Sequence, residues 1–273
     1  MSREPRAGDG DVVWRQWDGR DGNALQGLFL EYQPDFAFHL ASAVTGRREL
    51  EFVFPTLEGG LVSSVLILIA AATQGSCKVV LAGSLEEPDP TDSGPVPASP
   101  YAASKWAAAG YARMFNALYG LSVVVARIFM VYGPGQADLK KFVPYVCLSA
   151  ARGEQPRLMS GGRPIDWIFV DDVVDGLLCL GASDVADGRH VDLGSGNQVT
   201  TRDVATRICR IAQTGVEPIF GALPDRPMEQ VRAADVASTD AQIGWAPTVS
   251  LDDGLERTYA WYLAEVSDPE RRS

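Results

Sequence analysis

Lys78-Val79-Val80-Leu81-Ala82, a helical stretch from Tyr101 to Tyr119, and Ser122-Val123-Val124-Val125-Ala126-Arg127-Ile128-Phe129 decide the fold. The two short runs are apolar almost throughout instead of alternating, which is the pattern of strands covered on both faces. Strands of that kind separated by helices build a parallel sheet, so the class is α/β. Upstream, Asp35-Phe36-Ala37-Phe38-His39-Leu40 reads as another buried strand. Helices are predicted from about Ala24 to Tyr32 and over Leu61–Ala72, and a first strand over Val12–Trp17. Downstream, Gly133-Pro134-Gly135 ends the last long strand and marks the passage to a second lobe. That lobe reads as mixed: a helix over Phe142–Arg152, a strand over Trp167–Val170, and a helix from Val173. A strand at His190–Leu193, a helix from Thr201 and a closing helix over Leu251–Glu265 follow. Two domains are expected, one of residues 1–133 with about 185–195, the other mainly 134–273.

Charge narrows the partners. Lys+Arg 24 against Asp+Glu 35 leaves a net −11 over 273 residues, a field that repels nucleic acid and anionic lipid. No nucleic-acid or membrane role is expected, and any anionic ligand must be met by a few placed Arg, Lys or backbone N–H groups. Hydrophobic residues at 46% are enough for a buried core. Cys77, Cys147, Cys179 and Cys209 form no CxxC pair, and His39 and His190 lie beside no carboxylate or thiol cluster, so no metal site is expected. The cysteines read as buried reduced thiols. Residues 1–11 carry no apolar signal segment, and the run Val65–Ala72 is too short to span a bilayer, so a cytoplasmic protein is expected.

The chemistry gathers where a strand end meets a helix start. Residues 86–100 carry Pro88, Pro90, Pro95, Pro97 and Pro100, which exclude helix and central strand. Open α/β sheets bind ligands at such strand-to-helix passages. Immediately after comes Tyr101-Ala102-Ala103-Ser104-Lys105. Residues four apart share a helix face, so a phenol and an ammonium point into one space. A neighbouring cation favours phenolate and fits the pair for acid–base work. Seventeen residues earlier, Ser84 places a hydroxyl at the C-terminal end of the strand Lys78–Ala82.

Ser84, Tyr101 and Lys105 at those positions resemble the catalytic set of the short-chain dehydrogenase/reductase superfamily. Further segments resemble its extended, nucleotide-sugar branch, the epimerases, dehydratases and ketoreductases. They are Pro34 to Ser42, Arg127 to Gln136, Asp166 to Gly176, Asp192 to Gly196 and Ile243 to Pro247, in family order. The resemblance implies a Rossmann-like doubly wound parallel sheet with a smaller mixed α/β substrate lobe, NAD or NADP as cofactor with NAD favoured, a nucleotide-sugar substrate, and a homodimer. Tyr101 would be the general acid/base, Lys105 would lower its pKa and hold the nicotinamide ribose, and Ser84 would bond the substrate oxygen. Asp18 and Gly19 would meet adenine, while Leu40, Ala41, Ser42, Ile128 and Phe129 would line the cofactor cleft. Met130, Arg163 and Arg226 are the substrate-side candidates, the two arginines for a pyrophosphate. His39 reads instead as a satisfied core histidine, Asp171-Asp172 as helix caps, and Trp14, Trp17, Trp167, Trp245 and Trp261 as packing residues.

The sequence departs from the family in its glycines. Relatives open on a strand and GxxGxxG, whose backbone amides meet the cofactor pyrophosphate. Here Gly19, Gly22 and Gly27 have the wrong spacing, and the sheet is expected to be N-terminally shortened. An Asn that relatives carry about 25 residues before the catalytic Ser falls on Gly59 or Thr56, and one that often contacts substrate is Met130. Ser84-Leu85-Glu86-Glu87 lacks the Asp-Glu that dehydratases place after their hydroxyl residue, which favours an epimerase or 4-ketoreductase. The contrasting expectation is a non-catalytic binding or scaffold protein without a competent dinucleotide site.

Overall fold

The computed structural model describes residues 12–89 and 94–267. Two compact units divide the chain, residues 1–127 with 180–191 and residues 128–179 with 192–273.

In the first unit, a turn precedes the first helix. Asp18 Oδ1 accepts from the backbone N–H groups of Arg20 at 2.8 Å and Asp21 at 3.0 Å, around Gly19 at φ 85°. Asp21 then caps α1 (Gly22–Tyr32) by accepting from Ala24 N–H. Strand β1 (Phe36–His39) pairs in parallel with β2 (Lys78–Ser84), in the register Phe36 with Lys78 to His39 with Leu81. With β3 (Val123–Ile128) and β6 (His190–Leu193) they form one sheet in the order β1-β2-β3-β6. All seven residues of β2 are buried, as its unbroken apolar run requires.

Helix α4 (Pro100–Tyr119) starts on the Ser99 side chain, which accepts from Ala102 N–H, and stops at Gly120 at φ 65°. Pro100 in the first turn supplies a fixed φ and loses no helical bond. Leu68, Val79, Leu81, Ala109, Ala112 and Val123 are core residues of this unit.

Two sequence expectations fail here. Val12–Trp17 is not a strand: Val12, Val13 and Trp14 are exposed, and among the described residues the segment has no strand partner. A β pattern yields a strand only where a neighbouring ladder accepts it, so this stretch stays irregular and Trp14 is not a packing residue. The helix expected over Leu61–Ala72 is the end of a longer helical run, Leu50–Gln74. It comprises a 3-10 turn (Leu50–Phe52), α2 (Val53–Thr56), a π-helical turn (Leu57–Val62) and α3 (Ser63–Gln74). With a mean hydropathy of 1.9 it is long and apolar enough to cross a membrane by length and composition. Here it packs against α1 and α4, and its Glu58 lies 3.6 Å from Arg20.

In the second unit, β4 (Met130–Tyr132) runs parallel to β5 (Pro164–Phe169), which is antiparallel to β7 (Gln198–Thr200). Helices α5 (Phe142–Ala151), α6 (Val170–Ala182), α7 (Thr201–Ala212), α8 (Val236–Ile243) and α9 (Leu251–Ser267) complete the chain. Tyr132, Phe169, Ile208, Leu255 and Tyr262 fill the core of this unit. Asp171 and Asp172 are not caps. Asp172 is buried and accepts from Thr248 N–H, Thr248 Oγ1 and Val249 N–H, while Asp171 pairs with Arg257 at 2.6 Å. Asp166, on β5, ties loops together in the same way, accepting from Ser195 N–H, Gly196 N–H and Ala234 N–H.

Candidate active site

Ser84 closes β2, and Tyr101 and Lys105 stand one turn apart at the start of α4, so three side chains meet in the first unit. The Ser84 hydroxyl accepts from Glu86 N–H at 3.2 Å and acts on the Tyr101 phenol, favouring its ionised form. Lys105 is buried and its Nζ donates to the Ala82 carbonyl at 2.7 Å, 5.9 Å from the centre of the Tyr101 ring. Burial pushes the Tyr101 phenol up to about 12; the Ser84 hydroxyl opposes this, and Glu87 and Glu86 add to it. Burial also lowers Lys105 to about 8, against the pull of Glu87. The lowered phenol expected from the sequence is therefore not found, because burial dominates and the charges of Glu87 and Glu86 add to it.

His39, on β1, is buried and held by Ser63 Oγ at 3.1 Å from its Nε2. Desolvation, with the charge of Lys105 adding to it, lowers it to about 4, so it is a neutral core residue. Ser42 Oγ is buried and has no hydrogen-bond partner among the described residues. It lies on the same side as Ser104: a Cβ built on Gly60 would stand 2.5 Å from Ser104 Oγ and 3.6 Å from Ser42 Oγ. Leu40 and Ala41, just before it, are exposed.

Fit to a nicotinamide dinucleotide divides at its two ends. A buried hydroxyl at Ser42 that is unsatisfied among the described residues, on the side of Gly60 where Ser104 of α4 also points, suits the hydroxyl-rich ribose of the nicotinamide half. At the other half, the 273 residues contain no GxxGxxG, and Asp18 Oδ1 is already engaged by two backbone amides. The residues present thus fit the reacting end of the cofactor.

The second unit holds the remaining candidates. Phe129 is buried and its N–H donates to Leu193 O at 3.0 Å, while Ile128 and Met130 are half-buried on either side. Arg163 pairs with Glu229 at 3.2 Å and donates to the Gln230 carbonyl at 2.8 Å, and Arg226 is exposed. Among the described residues no three His, Cys, Asp or Glu side chains gather as a metal group. Sequence reading missed Glu87, a buried carboxylate whose Oε1 accepts the Ser84 N–H at 2.7 Å. The signal was available in Gly83, a residue without a side chain at the end of a bulky strand, which leaves room for that carboxylate.

A parallel sheet whose strand-end serine faces a Tyr-Lys helix defines a short-chain dehydrogenase/reductase-type protein. The profile of the NAD dependent epimerase/dehydratase family matches residues 2–194, and the chain belongs to that family. It is 30% identical to the UDP-glucose 4-epimerase of Mycolicibacterium smegmatis, over 87% of this chain and 79% of that protein. It is 27% identical to the dTDP-glucose 4,6-dehydratase of Haemophilus influenzae, over 93% of this chain and 84% of that protein. Among solved structures it resembles the Bordetella bronchiseptica enzyme WbmF in complex with NAD+ and UDP. The TM-score is 0.81 and the identity 26%, covering 96% of this chain and 81% of that one.

Proposed function

We propose that this protein is an NAD-dependent nucleotide-sugar epimerase or 4-ketoreductase in which Tyr101 is the general acid/base. The observation that carries the reading is the meeting of Ser84, Tyr101 and Lys105 at one strand end. When bound, nicotinamide would supply or accept the hydride at a sugar carbon. Ser84 would bond the reacting oxygen and hold it against the phenol. With its phenol pushed up to about 12, Tyr101 is protonated at neutral pH and stands ready to donate to a carbonyl oxygen. Oxidation needs the phenolate, and the Lys105 ammonium one turn away is the charge that would support it. Lys105 and Ser42 would hold the ribose, with Leu40, Ala41, Ile128 and Phe129 along the cofactor and Asp18 and Gly19 near its adenine. Met130, Arg163 and Arg226 would face the substrate, with the arginines toward its pyrophosphate.

Leu85 after Ser84, where dehydratases carry Asp, supports epimerase or ketoreductase over dehydratase. The intact reacting set counts against the non-catalytic alternative. A homodimer through the Leu50–Gln74 run and α4 belongs to the same reading, since Leu50, Phe54 and Leu118 are exposed apolar residues there.

The test is turnover of UDP- and dTDP-sugars and their 4-keto forms with NAD and NADP in parallel, for the native chain and Tyr101→Phe. Removing the acid/base should cost about 10²-fold or more in kcat with the fold retained. A Tyr101→Phe enzyme as fast as the native one would overturn the assignment.

A further inference from the structure

Beneath the reacting hydroxyl lies a charge cluster that the proposed chemistry does not use. Glu87 is 2% exposed, in the loop that follows β2. Its Oε1 accepts the Ser84 N–H at 2.7 Å, and its own N–H donates to the Ser84 carbonyl at 3.1 Å. The two residues thus close a reciprocal ring that fixes the backbone of Ser84. Oε2 lies 3.5 Å from His190 Nε2 on β6, and the Arg127 guanidinium on β3 acts on the same carboxylate. Gly83 is shaped to this arrangement: a Cβ there would stand 2.7 Å from Glu87 Oε1 and 2.9 Å from Val125 Cγ1. A buried carboxylate is costly unless paired and hydrogen-bonded, and here each oxygen has a donor or a cation.

We propose that Glu87 is a positioning residue: clamped by His190, it fixes Ser84 against Tyr101 and supplies the negative charge that Lys105 faces. The proposal rests on the reading of Ser84, Tyr101 and Lys105 as the reacting set. Burial alone would raise the Glu87 carboxyl, yet it sits below the ordinary range because His190, the Ser84 amide and Arg127 outweigh desolvation. The Lys105 side faces His39 on β1, Tyr101 on its own helix, and Glu87. Glu87 is the anion there that opposes the loss of the Lys105 proton. The same charge acts on Tyr101, raising its proton affinity. One carboxylate therefore favours the protonated form of both members of the pair.

The chain has four lysines, Lys78, Lys105, Lys140 and Lys141, so the side-chain carbon signals of labelled lysine can be followed one by one by NMR. Lys105 is assigned from the signal missing in Lys105→Arg. In the native chain its midpoint is expected at about 8. In Glu87→Gln, which keeps the shape and an acceptor for the Ser84 amide, the midpoint should move to lower pH, and Glu87→Asp should restore it. If Glu87→Gln alone does not fold, the double variant Glu87→Gln/His190→Gln, neutral on both sides, should show the same displacement. An unmoved midpoint in a folded variant overturns the proposal. Turnover on the same samples judges the catalytic reading separately. A native chain without turnover whose Lys105 still shifts keeps the clamp and removes the enzyme. In an active chain, Glu87→Gln should lower kcat with KM held within about twofold; a change in KM alone overturns the positioning role.

Discussion

Single residues carry most of what the chain's chemistry depends on, and burial sets their protonation. His39 is the clearest case, since desolvation beside Lys105 lowers it to about 4 from an ordinary 6.5. The unfolded chain takes up that proton below about pH 6.5, and the folded one does not until about pH 4. Stability is therefore full above this window and falls as pH drops through it, by on the order of 3 kcal/mol for this group. Urea midpoints at pH 7 and pH 4.5 should diverge in the native chain and diverge less in His39→Gln. An equal divergence in both would show that His39 protonates freely in the fold. The strand-end place of Ser84, the shared helix face of Tyr101 and Lys105, and His39 as a core histidine were readable from sequence, because strand ends and i,i+4 spacing are local patterns. The state of Tyr101 was not readable: it depends first on how deeply the fold buries the phenol, and then on Glu86 and Glu87, which fold back from a proline-rich loop. Loop closure of that kind leaves no periodic trace in a sequence.

Strands and helices followed the sequence where each had its own packing partner. The predicted Tyr101–Tyr119 helix is found as Pro100–Tyr119, and the strand Lys78–Ala82 extends to Ser84. Val12–Trp17 begins on β-favouring residues and forms no strand, because pairing is a property of two segments and a pattern describes only one. Short elements such as β7 (Gln198–Thr200) and α8 (Val236–Ile243) escaped reading since three or eight residues give too little periodicity. At the end of β2 the constraint is steric. Gly83→Ala would drive a Cβ to 2.9 Å from Val125 Cγ1 and 3.3 Å from the Ala126 carbonyl oxygen, neither of which can swing aside as a long side chain would. We expect a loss of about 1–3 kcal/mol in urea unfolding, with Ser84 displaced and activity reduced beyond what stability explains. A stable, fully active Gly83→Ala chain would show that the strand end has slack.

On the scale of the molecule, apolar residues left on the helical surface are where the proposed dimer would be tested. Leu118 on α4 is 68% exposed, and Phe54 on the long helical run is 63% exposed. Light scattering at micromolar concentration should give twice the 29.4 kDa of one chain, and Leu118→Asp or Phe54→Asp should give one chain's mass. A native monomer would refute the dimer. The chain returns to the first unit after Cys179 and leaves it again after Val191, a path fixed by long-range pairing. That return has a consequence for how the protein is made. Strand β6 (His190–Leu193) completes the sheet begun by β1, β2 and β3, yet residues 128–179 of the other unit are synthesised before it. Until the ribosome reaches it, β3 is left as a bare edge and Glu87 lacks its histidine. The nascent chain therefore passes through a stage in which the first unit has an open apolar strand and an unclamped buried carboxylate, a stage suited to chaperone capture.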